Sequence, residues 1–458
     1  MTHTSLRAWL AALEKRGSLR RVKKQVALRF ELAALGKKAD GRYTLYFEQP
    51  GDSSLPVVTG LASTREHFAA AMEVSPDEVA ERFAQAQANP LDCLMVAAEA
   101  APVKERIISP VDLGGLPIPV HHEKDGGPYI TAGVLAAKDP RTGVRNVSIH
   151  RLQVLGPDRL GILILPRHLH QFHRAAEAAG RPLEVAIAIG LDPLLLLASQ
   201  ALTPPGVDEF TIAGALYGRP LELVKCETVD LEAPAQAEII LEGRLLPKTR
   251  EKEGPFGEYP KYYGPAAPRP VIELTALTCR REPIYHTIVP ATMEHLLLGA
   301  IPREGSLLQL VRHAAPTTRR VHLTPGGTCR YHAVIALDKQ NEGEAKNAMF
   351  AAFASSQEIK HVVVVDNDVN IFDPLEVEWA VATRCQAQRD VFIVPRAAGN
   401  RLDPSSEDGI SDKMGLDATI PSNADRERYE RIRIPGEEHI VLEDYLEPDR
   451  GPVEEGRP

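Results

Sequence analysis

The stretch "YITAGVLAAKDPRTGVRNVSIHRLQVLGPDRLGILIL", residues 129–165, limits the fold more than any other. Three β-rich runs are separated by two turn sequences, Asp-Pro-Arg-Thr-Gly and Gly-Pro-Asp-Arg. Strands so closely joined pair with their neighbours, which predicts an antiparallel meander. Further strand-like runs lie at 184–190, 221–227, 237–244 and 270–279, with one helix over about 168–179. These define a β-rich, barrel-like middle domain over 105–298.

The flanks have a different texture. "TSLRAWLAALEKRG" reads as a helix capped by Thr4 or Ser5, with Leu6, Trp9, Leu10 and Leu13 as its apolar stripe and Gly17 as its stop. Short strands near 43–48 and 56–60 and the capped helix "SPDEVAERFAQAQ" complete an N-terminal α/β domain over 1–104. After a linker helix at 299–315, "EAKNAMFAAFAS", "HVVVVD", "DPLEVEWAVATRCQ" and "DVFIVP" alternate helix and strand. That alternation predicts a parallel sheet in a C-terminal α/β domain over 316–445. The charged, Pro/Gly-rich tail 446–458 reads as disordered.

A chain of 458 residues exceeds one ordinary core, in agreement with several domains. Its net charge of −9 argues against a general nucleic-acid binder. Five scattered cysteines with no CxxC pair indicate neither a zinc site nor a disulfide framework. With no long apolar run, the chain reads as a reduced, cytoplasmic, soluble protein with no membrane span.

Five stretches carry candidate chemistry. In "KEGPFGEYPKYYG", Glu253 and Glu258 bracket a Gly-Pro-Phe-Gly turn. This is either a solvated loop or a site where one acid positions a partner and the other moves a proton. In "NVSIHR", strand alternation puts Asn146, Ser148 and His150 on one face and Arg151 on the other. Arg151 is then solvated at a rim or paired with an anion. "PRHLHQFH" places His168, His170 and His173 at a helix start, as metal ligands or surface groups, and Arg167 there suits a phosphate. "PGVDEF" reads as a loop-to-strand junction, and Glu209 matters only if it meets a histidine and an amide. Asp366, Asp368 and Asp373 resemble an acidic metal loop but lack the glycine and glutamate of an EF-hand, so structural roles are favoured. Glycine-rich nucleotide fingerprints and a G-x-S-x-G elbow are missing.

Together these stretches, with "PYITAG", "DEFTIAGALYGRP", "AEIILEG" and "DKMGLDAT", resemble the UbiD family of decarboxylases. The resemblance implies an N-terminal α/β domain, a split β-barrel that binds prenylated FMN, and a C-terminal α/β domain that mediates assembly into a dimer or hexamer. It implies that Glu253 holds Arg151 and that Glu258 is the proton donor and acceptor. Asn146, His168 and Glu209 match the family's ligands for Mn²⁺ or Mg²⁺, with K⁺ or Na⁺ nearby. Arg167, Lys413 and, more weakly, Ser199 match contacts to the cofactor phosphate or ions. A flavin prenyltransferase would supply the cofactor. "MEHLLLGAIPRE" is similar to the branch acting on 2,5-furandicarboxylate, where His295 and Arg303 would hold the carboxylate that stays. Alternatives are a benzoate-type or polyprenyl-hydroxybenzoate decarboxylase, or a non-catalytic flavin carrier or carboxylase subunit.

Overall fold

The computed structural model describes residues 4–446. The tail beyond 446 lies outside the described residues. Residues 4–419 form one compact unit, and 420–446 belong to a second. That second unit carries three single-turn 3-10 elements, Arg426–Tyr429, Glu437–His439 and Leu442–Asp444. The C-terminal sheet therefore ends near Ala418, earlier than the domain boundary expected at 445.

The meander closes. Strands Ile239–Glu253, Leu183–Ile189, Tyr129–Lys138, Arg145–Val154, Arg159–Ile162 and Ala267–Cys279 follow one another, and the first pairs back with the last. Every pairing in this ring is antiparallel, which makes a six-stranded barrel. Its interior is filled by Ile130, Leu152, Ile187, Leu241 and Ile272, all fully buried.

The N-terminal sheet contains Leu19–Val22, Thr44–Phe47, Val57–Thr59 and the distant strand Tyr285–His286. The opening helix, Leu6–Lys15, is capped by Ser5, whose hydroxyl accepts from the Ala8 N–H, and it buries Leu6, Trp9, Leu10 and Leu13. In the C-terminal sheet the inner strands His332–Leu337, His361–Asp366 and Ile410–Ala418 are parallel. The edge strands Thr318–Leu323 and Val391–Ala398 are antiparallel, so the sheet is mixed rather than parallel.

The helix expected at 299–315 is longer and begins earlier, at Met293–Ala314. Its early turns are apolar on two sides. Leu297, Leu298 and Ile301 join the core shared by the N-terminal helices and the barrel flank. Leu296, Ala300, Leu307 and Leu308 join the core of the C-terminal sheet. A domain boundary at 298 thus falls inside one continuous element that packs against both sides.

"PGVDEF" leads into a helix, not a strand. Asp208 caps Glu209–Tyr217 by accepting from the Phe210 N–H. The helix is buried almost all round, so its sequence shows no polar face to betray its period. The acidic triad is structural, as favoured. Arg384 bonds Asp366 and Asp368, and Asp373 caps Pro374–Arg384.

Candidate active site

One large cavity of about 650 Å³ opens between the barrel, the Met293–Ala314 helix and the C-terminal sheet. That size falls within the range of about 300–1,000 Å³ usual for cofactor and ligand sites. It brings together Asn146, Arg151, Arg167, His168, Ser199 and Glu209, as well as Glu258, His295 and Arg303.

The Gly-Pro-Phe-Gly turn is a small hairpin. Glu253 ends the long barrel strand opposite Ala267, and Phe256–Gly257 pairs with Tyr263–Gly264. The turn comes close to its neighbours. A Cβ on Gly257 would lie 2.5 Å from the His122 ring, and one on Gly264 3.2 Å from the Arg151 guanidinium. Both positions therefore need glycine for room.

Arg151 sits between the two acids. Its Nη2 donates to Glu253 Oε2 at 2.8 Å, and its Nη1 donates to Glu258 Oε1. Glu253 is fully buried, and its other oxygen accepts from the Tyr129 hydroxyl at 3.0 Å. Gln153 fixes the turn by accepting from the Gly254 N–H at 2.8 Å. Arg151 Nε is buried without a partner among the described residues, a donor left for a ligand. Burial pushes the Glu258 carboxyl above its ordinary range, Arg151 opposes this, and Glu253 adds to the rise.

Simple alternation placed Arg151 and Asn146 on opposite faces, yet both line the cavity. The pairing shifts between Ile130 and Gly133, opposite Arg151, so two residues face one there. Such a bulge re-aims the side chains beside it.

Across the barrel mouth, Glu209 is 2% exposed. Its Oε1 accepts from Asn146 Nδ2 at 2.9 Å and from Thr203 Oγ1 at 2.8 Å, and its Oε2 accepts from the Val147 N–H at 2.7 Å. Burial pushes its carboxyl up to about 7. The preceding residues brace the pair, since Arg145 Nε and Nη2 donate to Asp208 at 3.0 and 2.6 Å. A buried carboxylate beside an amide, with His168 on the same cavity, is a donor set suited to a hard divalent cation. Among the described residues, however, no cluster of three or more His, Cys, Asp or Glu stands ready for a metal. The three ligands the resemblance implies include only two of those types.

Arg167 lies open to the cavity, with no hydrogen-bonded carboxylate among the described residues. Burial, then the nearby Arg303, lowers its pKa, so an anion is the partner it lacks. Ser199 lines the cavity, although its hydroxyl donates to the Leu196 carbonyl at 2.6 Å. Lys413 does not line it. Its ammonium donates to the Gln357 and Ile359 carbonyls at 3.1 and 2.5 Å, because its strand runs beside that loop. His170 and His173 are not among the lining groups, and His173 is buried rather than on the surface.

The far wall is built on the Met293–Ala314 helix. His295 Nδ1 accepts from the Ala291 N–H at 3.2 Å, so the neutral ring carries its proton on Nε2. Burial, then Arg330, lowers its pKa to about 3. His295 is therefore a neutral donor, not an imidazolium. Arg303 does not pair with its neighbour Glu304. Its Nε donates to Glu358 Oε2 at 3.1 Å and its Nη1 to the Gly299 carbonyl at 2.8 Å. Glu304 instead bonds Arg65 and His322. Arg330, Glu358 and Tyr259 were not singled out from the sequence, yet all line the cavity. The Arg330 guanidinium lies over the Tyr259 ring at 5.1 Å and against Gly299, where a Cβ would overlap it.

A buried arginine flanked by two glutamates, with a carboxylate–amide pair nearby and a roomy cavity between, is the layout of a carboxy-lyase that handles a proton. Family models agree over most of the chain. The N-terminal domain of 3-octaprenyl-4-hydroxybenzoate carboxy-lyase matches residues 10–87, its Rift-related domain 95–293 and its C-terminal domain 296–418. The chain belongs to the UbiD family of decarboxylases, and it is an enzyme of that class. Among solved structures, the UbiD-class enzyme HmfF from Pelotomaculum thermopropionicum in complex with FMN is 66% identical, with a TM-score of 0.95, over 96% of this chain and 100% of that one. An evolved dimeric form of HmfF in complex with prFMN is 62% identical, with a TM-score of 0.91, over 97% and 100%. The anhydromevalonate phosphate decarboxylase of Methanothermobacter thermautotrophicus is 43% identical over 412 residues, 90% of this chain and 96% of that one. No helix among the described residues is long and apolar enough to cross a membrane.

Proposed function

We propose that this enzyme reversibly decarboxylates 2,5-furandicarboxylate to 2-furoate and CO₂, using prenylated FMN. The observation that carries the reading is a cavity with two unlike ends. One end holds Arg151 beside a carboxyl, Glu258, whose pKa burial raises. The other end offers His295 Nε2–H and the remaining edge of Arg303.

Between the ends, Asn146, His168 and Glu209 would hold Mn²⁺ or Mg²⁺, and Arg167 and Ser199 would meet the cofactor phosphate and the neighbouring monovalent ion. When bound, the flavin supplies an electron sink for the pair left behind by CO₂. Arg151 orients the carboxylate that leaves, with Glu253 fixing the guanidinium plane. The carbon–carboxylate bond breaks, and Glu258 delivers its proton to the vacated carbon. In the reverse direction Glu258 takes that proton back. Phe256 and Tyr259 shield the site from water. His295 and Arg303 hold the carboxylate that stays.

A second reading has its own support. Arg167, Arg303 and Arg330 lie around one part of the cavity, and guanidinium groups suit phosphate as well as carboxylate. An unsaturated acid with a distal phosphate is the corresponding substrate. The test is CO₂ release by enzyme co-expressed with a flavin prenyltransferase. The panel is 2,5-furandicarboxylate, 2-furoate, 4-hydroxybenzoate and a phosphorylated unsaturated acid. The furan diacid should lead the monoacids by about 100-fold, the worth of two charge-assisted hydrogen bonds. Preference for the phosphorylated acid or for 4-hydroxybenzoate would replace this assignment.

A further inference from the structure

Glu358 lies between the helix Glu344–Ser355 and the strand His361–Asp366, and its carboxylate reaches the cavity. We infer that Glu358 is a specificity-determining positioning residue, which fixes the presenting edge of Arg303 and ties it through Asn400 and Tyr259 to the loop carrying Glu258. The inference rests on the diacid reading above, because it concerns the arginine that would hold the second carboxylate.

The geometry is a chain of hydrogen bonds. Glu358 Oε2 accepts from Arg303 Nε at 3.1 Å and lies 3.9 Å from Arg330 Nε. Glu358 Oε1 accepts from Asn400 Nδ2 at 2.9 Å. The same amide donates to the Tyr259 hydroxyl at 2.6 Å. Tyr259 follows Glu258 directly, and its backbone N–H bonds the Glu258 carboxylate. The two ends of the cavity are thus joined through protein.

The charges explain why such a brace is needed. Arg167, Arg303 and Arg330 repel one another in a poorly solvated place. Arg303 is held against that repulsion at two atoms, Nε by Glu358 and Nη1 by the Gly299 carbonyl. Nη2 and the second N–H of Nη1 are left to point at a ligand. With Arg167 given to the cofactor phosphate, one carboxylate between Arg303 and Arg330 still leaves the wall positive, so an arriving anion is attracted rather than excluded. Glu358 itself stays ionised, since Arg303, Arg330 and Arg167 together outweigh its burial.

The test is Glu358→Gln in the prenyl-flavin-loaded enzyme. Glutamine keeps the shape and one acceptor but loses the charge. The ratio of kcat/KM for 2,5-furandicarboxylate to that for 2-furoate proton exchange should fall about tenfold, through the KM of the diacid. Calorimetric titration with the diacid should show the same loss. Glu358→Asp should recover part of each effect. An unchanged ratio together with unchanged diacid binding in the calorimeter would overturn the inference. Should the wild-type enzyme show no preference for the diacid, the substrate assignment fails instead. The positioning role is then decided by the KM-against-kcat split, and its recovery in Glu358→Asp, with whichever acid is turned over. An unaltered flavin spectrum and melting temperature separate either result from misfolding.

Discussion

Glu258 and Glu358 line the same cavity, one from the barrel hairpin and the other from a loop of the C-terminal domain, and burial acts on both. Glu258 is pushed up, while Glu358 is pulled down. Burial acts on both in the same direction, so the neighbours decide. Glu258 shares its single arginine, Arg151, with the fully buried Glu253. Glu358 stands among Arg303, Arg330 and Arg167 with no second acid to divide them. Proton affinity is therefore raised at Glu258 and lowered at Glu358. Two carboxylates with diverging proton affinities suit different jobs, and the proposed function gives the chemistry to one and recognition to the other.

The sharpest way to break this comparison is Glu258→Gln. An amide fills the space but delivers no proton, so kcat for decarboxylation should fall by about 10²–10⁴ while the diacid still binds. Turnover within a few-fold of wild type would take the proton away from Glu258. A smaller effect is expected on the recognition wall. Arg303→Ala should reduce the preference for diacid over monoacid by about 10–100-fold, by removing one charge-assisted contact and freeing Glu358. Equal losses on both substrates would mean that the wall shapes the site without recognising the second carboxylate.

The smallest effects are those of pH, and the two walls should respond differently. The raised Glu258 carboxyl holds its proton to higher pH than a free glutamate. The donor form, and with it kcat, is lost as pH rises through that value. His295, lowered to about 3, is already neutral across the working range. Diacid KM should therefore stay flat between about pH 6 and 8, where an ordinary histidine titrates. A step in KM near 6.5 would show that the ring binds as an imidazolium.

The two walls also differed in how well the sequence revealed them. On the barrel side, glycine and proline punctuation exposed the Glu253–Glu258 turn, and the family motifs carried Arg151, Asn146 and Glu209 with it. On the far side, His295 and Arg303 stood out as polar groups within an apolar helix. Glu358, Asn400 and Arg330 did not, because each comes from an irregular loop whose composition suggests only solvent exposure. Their meeting depends on the tertiary fold of the C-terminal sheet, and no local period encodes it. Lys413 failed for a related reason. Its motif was legible, but the carbonyls that engage its ammonium lie 54 and 56 residues away in sequence. The helix at Glu209 was misread because burial on nearly every face erased its pattern.

Gly299 gives the recognition wall a narrow tolerance. The guanidinium of Arg330 rests where a methyl group would have to stand, and the backbone carbonyl of the same residue anchors Arg303. Two arginines from separate parts of the chain thus converge on a residue with no side chain. The barrel hairpin reaches the same point, because the Tyr259 ring lies under the Arg330 guanidinium. A substitution at this one small position would therefore disturb both arginines at once and, through Tyr259, reach the hairpin that carries Glu258.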